Sequence, residues 1–71
     1  MKIAAVYSRG VQVVDSDRTL YQAANEMCRE SVSALGVLEG GRLAGIISER
    51  DITRAVAEAS DPKSTWVSQY M

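Results

Sequence analysis

Ser48 and Asp51 stand three residues apart, where the apolar run Gly45-Ile46-Ile47 gives way to a helix-like stretch from Glu49 onward. A strand that turns directly into a helix leaves backbone N–H groups unpaired at the positive end of the helix dipole. Such a junction suits a phosphate or a ribose. The Asp51 carboxylate can accept two hydroxyl protons from a sugar. The Ser48 hydroxyl can donate to a phosphate oxygen beside the N–H groups of the helix start. Arg50 and Arg54 bring guanidinium groups, whose planar fork suits bidentate phosphate binding. The same spacing has a second reading: Ser48-x-x-Asp51 is itself a capping box, which needs no ligand. Arg54 is likewise placed to pair with Glu58 one turn further on.

Other reactive chemistry is scarce. The chain has no histidine, which excludes His-based acid–base catalysis and the usual zinc sites. Cys28 and Ser48 are the available nucleophiles, and neither has a candidate base, so an enzyme is not expected. Cys28 and Met27 fall on an apolar helical stripe, which predicts that both are core residues. One cysteine cannot form an internal disulfide, in keeping with a reducing compartment. A net charge of −1 with scattered basic residues gives no field for nucleic acid or anionic lipid. No apolar run approaches the roughly 20 residues that span a bilayer, and Met1-Lys2-Ile3-Ala4-Ala5-Val6 is too short for a signal peptide. A cytoplasmic location follows as the expectation, for the chain alone or as part of something larger.

The elements that position Ser48 and Asp51 can be read along the chain. Its 71 residues allow one small domain, burying about 60% of the surface its unfolded form exposes. With Tyr7, Tyr21, Trp66 and Tyr70 its only aromatics, the core must be aliphatic and thin, and some apolar surface is left for a partner. Val11-Gln12-Val13-Val14 is a short β-branched strand, broken by Asp15-Ser16-Asp17. Thr19-Leu20-Tyr21-Gln22 has the form of a capping box. Leu20, Ala23, Ala24, Met27 and Cys28 then mark one helix face running to about Glu30. Two apolar runs, residues 33–39 and 42–48, flank Gly40-Gly41, a strong hairpin signal. Their near-continuous apolar character predicts a sheet covered on both faces. Gly36 and Gly45 inside these strands point either to a cleft or to the close approach of a helix. A second helix from Ser48 carries Ile52, Ala55, Val56 and Ala59 on one face and stops at Ser60-Asp61-Pro62.

The resulting order is strand, helix, strand, strand, helix. A right-handed crossover sets the first two strands parallel, and the hairpin returns the third antiparallel. The expected fold is α/β in the broad sense, of the α+β type: a three-stranded mixed sheet with two helices, one surface of which is poorly covered. Residues 1–10 form an N-terminal segment, 11–60 the core, and 61–71 a closing stretch. Trp66-Val67-Ser68-Gln69-Tyr70-Met71 aligns with Lys2-Ile3-Ala4-Ala5-Val6-Tyr7 at its second, fifth and sixth positions. This raises the prospect of a second copy of the unit beginning there.

Taken together, Asp17-Arg18-Thr19-Leu20, Ala23-Ala24, Met27, Val32-Ser33-Ala34-Leu35 and Gly41 through Ile52 resemble a CBS domain, the family that takes its name from cystathionine β-synthase. The likeness runs from about Val11 to Met71, and residues 65–71 look like the linker into a second CBS repeat. The resemblance implies a β-α-β-β-α repeat that works in pairs packed through their sheets, in regulatory modules rather than enzymes. It implies clefts between repeats that take AMP, ADP, ATP or S-adenosylmethionine, with no required cofactor. Ser48 and Asp51 match the phosphate- and ribose-contacting positions, and Ser33 and Ala34 match the adenine pocket. Gly36 stands where many members carry proline, a departure at the pocket floor. The first reading is therefore an adenosyl-ligand sensor, completed by a second repeat in a homodimer. The alternative is a CBS-type dimerisation scaffold with an empty cleft, supported by Gly36 and by the lack of an adenine-stacking aromatic near the strands.

Overall fold

The computed structural model describes residues 12–71. The expected N-terminal segment 1–10, its alignment with residues 66–71, and Val11 at the head of the first strand lie outside the described residues. The elements follow in the expected order: β1 (Val13–Asp15), α1 (Leu20–Glu30), β2 (Ala34–Glu39), β3 (Arg42–Ser48) and α2 (Glu49–Ala57). A 3-10 turn at Val67–Gln69 follows. Among the described residues no helix is long and apolar enough to cross a membrane.

Helix α1 starts where its side chains dictate. Gln22 N–H donates to Thr19 Oγ1 at 3.2 Å, and Thr19 N–H donates to Gln22 Oε1 at 3.0 Å, closing the capping box. Leu20, Ala23 and Met27 are buried along one stripe. Cys28 is exposed, which corrects its expected place in the core. At 3.6 residues per turn it lies about 80° round the helix from Leu20, on the side away from Ala23, and so falls off the edge of the stripe.

Both helices end alike. After α1, Ser31 takes a left-handed φ of 56°, its N–H donates to Cys28 O, and Val32 N–H reaches Met27 O. After α2, Ala59 has φ 65°, its N–H donates to Val56 O, and Ser60 N–H reaches Ala55 O. These are Schellman turns, which satisfy carbonyls left over in the last helical turn. Helix α2 therefore stops at Ala57, and Ala59 lies beyond it rather than on its apolar face. Ala55 is buried and Ile52 packs on the core, whereas Val56 is exposed.

The sheet order is β1-β2-β3, parallel between β1 and β2 and antiparallel between β2 and β3. Gly40 and Gly41 turn the hairpin at φ 61° and 80°, the doubly positive backbone that a two-residue hairpin needs. The register sets Leu35 opposite Ile47 and Val37 opposite Gly45. Leu35, Val37 and Ile47 join Leu20, Ala23, Met27, Ala55 and Val67 in one core, so both helices cover the same face.

Among the described residues no helix packs on the other face. That face carries Val13, Gly36, Leu43 and Ile46, and Ile46 is 61% exposed. Among the described residues both helices lie on one face, which agrees with the expectation of one poorly covered surface and corrects that of two covered ones: apolar residues on both sides of a strand do not require helices on both sides. Gly36 admits neighbouring strand side chains, since a Cβ there would lie 3.0 Å from Leu43 Cδ1 and 3.3 Å from Val13 Cγ1. At Gly45 the close neighbour is Met71.

Residues 61–71 fold back as a strap across the start of α1. Leu20 N–H donates to Thr65 O at 2.9 Å, Tyr21 N–H to Pro62 O at 3.0 Å, and Val67 N–H to Arg18 O at 2.7 Å. Val67 is fully buried, so the strap completes the core of this unit.

Candidate functional site

Strand β3 hands over to helix α2 at Ser48, whose extended backbone (φ −122°, ψ 167°) precedes the first helical turn. Ser48 N–H and Ser48 Oγ–H both donate to Asp51 Oδ2, at 2.9 and 3.0 Å. Asp51 N–H returns a bond to Ser48 Oγ at 3.3 Å. The second helix thus begins with its own capping box, and Glu49 and Asp51 set negative charge against the positive end of its dipole.

The hairpin brings the other candidates alongside. Ala34 lies directly opposite Ser48 in the β2–β3 ladder, and Ser33 O accepts from Glu49 N–H at 2.9 Å. Ser33 and Ala34 are both exposed. By strand alternation Ser48 shares the face opposite the helices with Ile46, so the cluster sits at one end of that face. Arg50 is exposed on the first turn of α2.

Arg54 does not pair with Glu58. Its Nη2 donates to Asp51 Oδ1 and to the Tyr70 carbonyl, each at 3.3 Å, and the guanidinium lies 5.1 Å from the centre of the Tyr70 ring. Glu58 accepts from Tyr70 O–H at 2.6 Å instead. The strap places an aromatic ring and a carbonyl beside Arg54, which draws the guanidinium away from its own downstream turn.

Asp51 is accordingly well supplied. An ionised carboxylate offers about four lone-pair positions, and Ser48 and Arg54 fill three of them. A ribose diol bringing two protons must displace one of these donors. Arg54 is the weakest held, with a 3.3 Å bond and a side chain 52% exposed.

Tyr70 is the residue that sequence reasoning missed. It stands 16 positions from Arg54, and no local spacing points from one to the other. A hollow of about 430 Å³ also lies between β1 and α1, lined in part by Arg18, Glu26 and Arg29. It contains none of the candidate residues. Its Arg29 is bonded to Glu26, and that hydrogen bond and charge raise the guanidinium above its ordinary pKa. Among the described residues no cluster of three or more His, Cys, Asp or Glu could hold a metal ion.

A CBS domain family model matches residues 3–58. A protein with CBS domains from Burkholderia ambifaria MC40-6 superposes with a TM-score of 0.84 at 33% identity, over 89% of this chain and 47% of that one. Hypoxic Response Protein I, solved with two coordinated zinc ions, gives a TM-score of 0.80 at 28% identity, over 86% of this chain and 52% of that one. A CBS domain protein from Pyrobaculum aerophilum complexed with AMP gives 0.78 at 24% identity, over 84% and 47%, a likeness of fold alone. This chain therefore spans about half the length of those structures. No curated protein matches its sequence. CBS domains generally serve in regulatory modules, commonly bind adenosyl ligands, and typically pair repeat with repeat. The three-stranded mixed sheet, the two helices on one face and the family match agree: this chain belongs to the CBS domain family.

Proposed function

We propose that this chain is a regulatory module that senses an adenosyl ligand (AMP, ADP, ATP or S-adenosylmethionine) in a cleft completed by a second CBS repeat. The observation that carries the reading is the meeting of Ser33, Ala34, Ser48 and Asp51 at one end of the sheet face opposite the two helices, where Ile46 is exposed. Ser48 and the helix start serve the phosphate, Asp51 the ribose, and Ser33 and Ala34 border the base. Arg50, on the same turn, supplies phosphate charge.

The second repeat is a second copy of this chain, joined through the sheet faces opposite the helices about a twofold axis, which creates two equivalent clefts. Ligand binding then biases the packing of the pair, and through it whatever the pair is attached to, by binding one arrangement better than the other. Regulation in the cytoplasm, without catalysis by this chain, completes the proposal.

One observation favours a second reading, a dimerisation scaffold with an unoccupied cleft: Asp51 is already engaged by Ser48 and Arg54. Calorimetric titration with AMP, ADP, ATP, NADH and S-adenosylmethionine, alongside measurement of oligomer mass, separates the two. Saturable binding to a dimer, lost in a folded Asp51→Ala variant, is the expected result. A dimer that ignores all five leaves the scaffold reading, and a folded monomer at micromolar concentration removes the homodimer.

A further inference from the structure

Three facts about Arg54 converge. Its Nη2 is shared between Asp51 of the candidate site and the Tyr70 carbonyl of the strap, at equal distances of 3.3 Å. Its charge lies over the Tyr70 ring, 5.1 Å from the centroid. Both bonds exceed the roughly 2.7–2.9 Å of a strong charge-assisted contact, and the side chain is half exposed. Arg54 is held loosely from two sides by groups that belong to different parts of the molecule.

The strap's two ends are held differently. Near residue 67 it is fixed by main-chain bonds to Arg18 and Leu20 and by the buried Val67. The Tyr70 and Met71 amides bond only within the strap, to Val67 O; outward, Tyr70 packs on the core edge, its O–H meets Glu58 and Ser60 at 2.6 and 2.8 Å and its carbonyl meets Arg54, and Met71 lies against Gly45. The end of the strap can therefore lift while its root stays seated.

We infer that Arg54 couples the Ser48–Asp51 site to the end of the strap, because ligand and strap compete for one guanidinium. The inference rests on the proposed ligand reading and adds its regulation. A ribose hydroxyl donated to Asp51 Oδ1 takes the place of Arg54 there, and a phosphate beside Ser48 draws the freed guanidinium toward itself. The first move frees Arg54 from Asp51, and the second takes it from Tyr70. Binding linkage is reciprocal, so a seated strap weakens ligand binding by the same factor by which ligand loosens the strap. Arg54 acts as a positioning residue, and Tyr70 is the strap's handle on it.

The test uses AMP as the probe on the whole chain, with wild type, Tyr70→Leu and Tyr70→Phe titrated by calorimetry. Tyr70→Leu removes the ring under Arg54 and the hydroxyl bonds to Glu58 and Ser60. An exposed cation–π contact contributes enough that its loss should tighten AMP binding about three-fold. Tyr70→Phe keeps the ring and the packing and should fall between the two. Hydrogen exchange on wild type provides a second readout that does not depend on either variant folding. AMP should speed exchange of the Tyr70 and Met71 amides, both bonded to Val67 O, and leave the Val67 amide protected. AMP binding that needs Asp51 but is unchanged or weakened in folded Tyr70 variants, with strap exchange unaffected, overturns the coupling alone. Absence of AMP binding in wild type and variants alike overturns the AMP-sensing reading and the coupling with it.

Discussion

The two helices of this small domain open with the same device and face different surroundings. At α1, Thr19 and Gln22 form a reciprocal capping box; at α2, Ser48 and Asp51 form another. The hydrogen-bond pattern is identical in kind, yet only the second start is proposed to meet a ligand. At α1 the strap lies across the helix mouth, with Thr65 and Pro62 carbonyls on the first two N–H groups. At α2 the strap arrives a turn later, at Arg54, and the mouth is bordered by the exposed Ser33 and Ala34. The α1 box is neutral, whereas the α2 box carries the Asp51 carboxylate. A cap motif therefore names a helix start, and its cover and charge decide what else it can do.

Breaking the two boxes in parallel gives the sharpest contrast. Asp51→Ala should weaken nucleotide binding about a hundred-fold, as expected for losing hydrogen bonds to a charged acceptor, while Gln22→Ala leaves affinity unchanged. Calorimetry on both variants checks this, and equal affinities would remove Asp51 from the site. Next in size is the cover itself. Val67→Ala takes two methyl groups from a fully buried position and should cost about 2 kcal/mol in urea denaturation. A negligible change would mean that the strap is not part of the cooperative fold. As caps alone the boxes should be equivalent: Thr19→Ala and Ser48→Ala should each lose about 1 kcal/mol. A much larger loss for Thr19→Ala would mean that the strap depends on it. The smallest effect lies at the helix ends. Ala59→Gly relieves a left-handed alanine and should raise stability by about 0.5 kcal/mol, the strain relief less the added freedom of the unfolded chain. Ser31→Gly should act in the same direction, and thermal melts of both variants decide it.

What could be read from the sequence was what short-range spacing encodes. Leu20, Ala23 and Met27 announce a helix face, Gly40-Gly41 a hairpin, and Ser48 with Asp51 a helix start, because each signal lies within a turn or two of chain. The stripe's edge was less legible: Cys28 satisfies an i+8 rule and still faces solvent, since the buried arc of α1 is narrower than the rule allows. That one sheet face would be poorly covered followed from the small size of the single layer, but which face it was did not, because Ile46 and Leu43 are as apolar as Ile47 and Leu35. The Arg54–Tyr70 contact left no trace in local spacing. It exists because the strap crosses α1 first and then passes α2, and only the folded path brings them together. In the site, Ser48 and Asp51 stood out from their own chemistry, whereas Ser33 and Ala34 came from family likeness and are joined to them by the β2–β3 register.

The seating of Val67 has a consequence for how the molecule folds. Both helices and the hairpin lie before residue 58, so a folding chain can form them before residues 61–71 are seated. The apolar layer still lacks the side chain that closes it, and the first turn of α1 lacks its strap carbonyls. Cooperative closure of the core must therefore wait for a residue that lies past the last helix. Until then the layer between helices and sheet lacks Val67, one of the eight buried apolar side chains of the described core.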